Sequence, residues 1–64
     1  MISKEDLRQY LDDVKALEMR METLYKDITD QVEDAHIQEV CSQLAIDEKK
    51  HIEQVLGLIS ILGV

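Results

Sequence analysis

Sixty-four residues carry a formal net charge of −7, with two Tyr, no Trp or Phe, and a single Cys. That acidic balance supplies no basic stripe to displace counterions from phosphates, and the aromatic content supplies no stacking platform, so nucleic acid is excluded as a partner. One Cys permits no intrachain disulfide, and a chain this short buries only about 60% of its unfolded surface when it folds alone, so a metal or a partner is expected to add stability.

The start, Met1-Ile2-Ser3-Lys4-Glu5-Asp6, is charged and has no apolar signal-peptide core; together with the lone thiol it points to a cytoplasmic, reducing setting. Ser3 precedes Asp6 by three positions, a capping-box arrangement with Asp in place of Glu, and opens a helix expected over about 3–32. Within it Leu7, Leu11, Val14, Leu17, Met21, Leu24, Ile28 and Val32 recur at steps of three or four between polar residues. This is one apolar stripe of an amphipathic helix. Glu18 falls at the edge of that stripe, with Leu17 and Met21 nearer its centre.

The turn belongs near positions 33–35, where Asp34 can accept bonds from the first free N–H groups of a second helix over about 35–62. Its stripe is Ile37, Cys41, Leu44, Val55, Leu58 and Leu62, and the steps of that stripe demand members at positions 48 and 51. There the chain places Glu48 and His51, metal-ligand residue types three apart and therefore one above the other on a helix face. With no Pro, and both Gly near the C-terminal end, nothing interrupts the helical reading before the segment 55–64. That segment is apolar nearly all round yet too short to span a bilayer, and reads as a buried helix end that one hairpin cannot cover. The expected fold is all-α, a single unit over residues 1–64: an antiparallel two-helix hairpin whose partner is itself, as a homodimer or higher even oligomer, closing a four-helix bundle.

Depth along the hairpin selects the site. Glu18 and Glu48 are equally far from a turn centred near position 33, about 22 Å at roughly 1.5 Å per residue, and His51 falls about one turn further. One hairpin thus offers two carboxylates and one imidazole in a layer; two copies offer four carboxylates and two imidazoles, which neutralise and ligate two divalent ions. This donor set suits iron or manganese, with zinc also possible. Without metal, the carboxylates repel one another and lose hydration, so their pKa values are expected to rise. Asp47 points about 100° round the helix toward a neighbour and can accept the free ring N–H of a ligating histidine. Tyr25, two turns after Glu18, is a candidate hydrogen-bond donor to a ligating carboxylate, and Glu22, one turn after Glu18, a candidate alternate ligand. The bland alternatives are ordinary ones: Tyr25 as a core aromatic, Cys41 as a small buried hydrophobe, His36 as a solvated residue beside the turn.

The run Ile46-Asp47-Glu48-Lys49-Lys50-His51 with the helix that follows resembles the second helix of bacterioferritins and rubrerythrins, and Glu18 with Tyr25 resembles the E-x(6)-Y pattern of their first. The resemblance covers residues 10–62 and, with one hairpin instead of two, is to the short two-helix ferritin-like proteins, encapsulated ferritins among them. It implies a non-haem di-iron centre, two irons per dimer, with Glu18 a terminal ligand, Glu48 bridging and His51 completing each shell, and ferroxidase or peroxidase chemistry with dioxygen or hydrogen peroxide. No four-cysteine rubredoxin module is present, so electron delivery would need a separate donor, and no encapsulin-targeting peptide is recognisable for an enclosing shell. A non-catalytic iron-binding or storage module, and a metal-free helical assembly hairpin, are the competing expectations.

Overall fold

The computed structural model describes residues 1–63 as two helices of equal length, α1 (Lys4–Gln31) and α2 (Ala35–Leu62), packed against each other as a hairpin with no strand among the described residues. Each has 28 residues, about 42 Å at roughly 1.5 Å rise, which accounts for a rod 47 × 16 × 15 Å in extent.

Both helix starts are capped by side chains. Ser3 Oγ accepts from the Asp6 N–H at 3.1 Å and Asp34 Oδ1 from the Ile37 N–H at 3.0 Å, each cap contributing about 1 kcal/mol in typical cases. Glu5 and Asp6 add favourable charge at the first turn of α1. The connection needs only Val32, Glu33 and Asp34, all outside the helices. Val32 leaves α1 in extended conformation, its N–H still donating to the Ile28 carbonyl at 3.0 Å, and the Val32 carbonyl accepts from the Gln38 side-chain amide. α2 ends at Gly63, whose φ of 71° is the left-handed geometry that glycine adopts without a Cβ penalty.

The apolar arcs are wider than one neighbour can cover, which corrects the sequence-derived stripes. The half-buried contact line of α1 runs through Leu7, Leu11, Glu18, Tyr25 and Thr29, so Glu18 lies centrally between the helices instead of at an edge. Val14, Leu17, Leu24 and Ile28 are exposed. In α2, Ala45, Glu48 and Val55 are buried, with Ile52 and Ile59 half-buried beside them, whereas Ile37 and Leu58 are exposed. The tail, expected as a helix end that one hairpin cannot cover, is covered only on one side: Leu56, Leu58 and Ile61 are exposed, Ile61 to 83%. A helix can bury only the arc its one neighbour occupies, and heptad spacing alone does not say which of two adjoining arcs that is.

Candidate metal centre

Glu48 is one of three buried residues among those described, and the only charged one, at 8% exposure. It is buried because it occupies the contact stripe of α2 one turn after Ala45 and two turns before Val55, both also buried. Across from Glu48, Glu18 is half-buried on the contact line of α1. His51 reaches in from one turn further along α2, its side chain still 52% exposed.

The three side chains converge. One donor atom from each of Glu18, Glu48 and His51 lies within 4.8 Å of the other two. His51 Nδ1 is 3.3 Å from Glu18 Oε2 and 3.7 Å from Glu48 Oε2. Ligands held about 2.1 Å from a shared ion stand roughly 3.0–3.4 Å apart, so these donors need only small rotations to close on one. The same two oxygens, Glu18 Oε2 and Glu48 Oε2, are buried and have no hydrogen-bond partner. A buried carboxylate oxygen without a partner costs its full desolvation. Two such oxygens aimed at one point make a cation the natural counterpart, and the donor set fits a divalent metal.

Electrostatics agree with that reading. The neighbouring Glu18 carboxyl, which favours a shared proton, is the main cause holding the Glu48 pKa above its ordinary value of 4.5; burial and the like charge of Glu18 add to it, and His51 opposes. In the metal-free chain Glu48 therefore holds a proton more tightly than a free glutamate, and a divalent ion would displace it.

The remaining sequence-derived residues lie outside this cluster. Asp47 is half-buried and accepts from the Gln43 side-chain amide at 3.0 Å. Glu22 pairs with Lys26 at 3.8 Å and lines an outer groove of about 370 Å³ with Thr29, Asp30, Ser42 and Lys49. Tyr25 is half-buried, and its carbonyl accepts from the Thr29 hydroxyl at 2.9 Å. Cys41 is a half-buried free thiol and His36 is exposed. No helix among the described residues is long and apolar enough to cross a membrane.

No protein-family model, curated protein sequence or solved structure matches this chain.

Proposed function

We propose that the hairpin is half of a two-metal carboxylate protein, and that two copies together oxidise ferrous iron with hydrogen peroxide or dioxygen. The observation that carries this reading is the pair of buried carboxylate oxygens, neither with a hydrogen-bond partner, that face one imidazole nitrogen across two helices. Two carboxylates neutralise one divalent ion, and three protein donors leave coordination positions open for water or an oxidant. A second copy doubles the set to four carboxylates and two imidazoles, the donor set of a bundle that holds two ions. Manganese and zinc satisfy the same donors.

When iron fills such a site it supplies one-electron chemistry: two Fe(II) ions give up one electron each, and peroxide takes both with two protons to become two waters. Dioxygen takes the same pair with two protons to become hydrogen peroxide. The protein's share is electrostatic and positional. Glu18 and Glu48 would hold the ion and offset its charge through their carboxylates. His51 supplies a neutral donor from the exposed side of the cluster. Return of electrons to the site would call for an electron donor. The ferritin-like resemblance of the helix around Glu48 and His51 supports iron over the other metals, on the motif alone.

The test is anaerobic Fe(II) loading followed by peroxide or air. About one iron per chain, with an oxo-bridged diferric absorption band and oxidant consumed at one peroxide per two irons, is expected. Iron bound without accelerated oxidation would leave a storage or delivery module. A second reading has its own observation: His51 Nδ1 within ion-pair distance of both carboxylates also describes a metal-free polar cluster that sets helix register. Absence of bound metal after loading would favour it.

A further inference from the structure

We propose that Met21 is the side chain that hydrogen peroxide in excess of bound ferrous iron oxidises first, so that its thioether consumes surplus oxidant beside the carboxylate pair. This rests on the iron-oxidising reading of the site and adds the fate of peroxide that iron does not use.

Helix geometry brings Met21 to the cluster. It follows Glu18 by three residues, as His51 follows Glu48, and three residues turn about 300°, roughly 60° short of a full circle. Glu18 and Glu48 face each other across antiparallel helices, so equal rotations carry Met21 and His51 to the same side of the hairpin. Their heights bracket the layer. Met21 stands about 4.5 Å nearer the turn than Glu18, and His51 the same distance farther from it than Glu48. Helical side chains lean toward the N-terminus of their own helix, so Met21 leans back toward the carboxylates from one direction and His51 from the other. Residues spaced like Glu18 and Met21 have Cβ atoms about 5–6 Å apart, a gap that a flexible thioether spans.

The other sulfur-bearing side chains are placed differently. Met19 turns about 100° the other way from Glu18 and is 51% exposed, Met1 precedes α1 and is fully exposed, and Cys41 lies on the contact line two turns from Glu48. Met21 is half-buried. Access from bulk solvent therefore ranks Met1 and Met19 ahead of Met21, and only peroxide gathered at the site reverses that order. His51 is the exposed donor of the cluster, at 52% for its side chain. The side it shares with Met21 is thus the side from which peroxide reaches open coordination positions.

The oxidation balances with peroxide as its one co-reactant. A sulfur lone pair attacks one peroxide oxygen; the S–O bond forms and the O–O bond breaks. The departing oxygen takes up the proton of the transferred one and leaves as water, so sulfur loses two electrons and peroxide gains them. Methionine sulfoxide is returned to methionine by sulfoxide reductases, which would reset the side chain.

Trypsin separates the three methionines, cutting after Lys4, Lys15, Arg20 and Lys26 to place Met1, Met19 and Met21 on peptides 1–4, 16–20 and 21–26. A Cys41→Ala chain, lacking the thiol that competes for peroxide, is loaded anaerobically with Fe(II) and its iron content measured. Excess hydrogen peroxide is then added with mannitol to intercept free radicals, and sulfoxide on each peptide is followed by mass spectrometry. Met19 is expected to oxidise before Met21 in the metal-free chain, and Met21 before Met19 in the loaded one. His51→Ala, with its helices verified by circular dichroism, should lose the reversal. Met21→Leu should lose the peroxide consumed beyond that used by iron. Met19 leading in a chain that has bound iron overturns the proposal and leaves the metal reading standing. A lead for Met21 that persists without metal or in His51→Ala overturns it as well, and a chain that binds no iron overturns both.

Discussion

Removal of the exposed ligand tests the site most cleanly. The His51 side chain is 52% exposed, so His51→Ala deletes little packing and should leave the metal-free melting temperature almost unchanged. The metal-dependent part behaves differently. A ligand that binds only the folded state at a hundredfold its dissociation constant stabilises by about 2.7 kcal/mol. For a domain of this size 1 kcal/mol moves Tm by about 4–8 °C, so the wild type should gain roughly 10–20 °C under those conditions. Loss of one of three donors should weaken affinity by about a hundredfold or more, since even an outer-shell partner costs about 10–100-fold. The same metal concentration then sits near the dissociation constant, and the gain shrinks to about 0.4 kcal/mol, roughly 2–3 °C. The assay is thermal unfolding by circular dichroism with and without Mn(II) or anaerobic Fe(II), at one protein concentration because association also moves Tm. Equal metal-induced shifts in wild type and His51→Ala would place the ion elsewhere and refute the reasoning.

The raised pKa of Glu48 makes metal-free stability fall as pH rises. The folded state binds the extra proton between pH 4.5 and the raised value, so the penalty is fully present above that window and relieved as pH drops through it. Glu48→Gln should therefore raise the metal-free Tm at pH 7, flatten its acid dependence and abolish metal binding; a variant that keeps both the slope and the metal would contradict the assignment. Asp34→Ala removes the cap on the Ile37 N–H and should cost about 1 kcal/mol, read as a lower denaturant midpoint with unchanged slope. Leu24→Lys, on the exposed face, should leave helix content intact and reduce sedimentation to the monomer. Retention of a dimer in that variant would move the interface elsewhere.

Much of the hairpin was legible because its signals are local. Ser3 and Asp34 cap the helices from side chains three residues away, and both act where capping chemistry predicts. Glu18 and Glu48 could be set at one depth because an antiparallel hairpin with a short turn obliges equal counts from the turn to reach equal heights. Lateral placement was not legible. Leu17 and Glu18 are neighbours in sequence and differ by about 100° around the helix; hydrophobicity favours Leu17 as the inner residue, yet Glu18 faces α2 and Leu17 is 59% exposed. The apolar tail was legible to the extent that one hairpin could not cover it, and Leu56, Leu58 and Ile61 are indeed exposed.

What the sequence by itself determined is therefore the one-dimensional part: two helices, their caps, the turn between them, and the donor residues that share a layer. Each depends on spacing along the chain, which the fixed rise and hydrogen bonding of a helix convert directly into height. Tertiary structure decided rotation. Only the packing of α1 on α2 chose which arc of each helix is buried, left two carboxylate oxygens without a hydrogen-bond partner around one imidazole, and turned a row of apolar side chains toward solvent. The reason is physical: one neighbour covers one arc, and the energies of the competing arcs are too alike for spacing alone to choose between them.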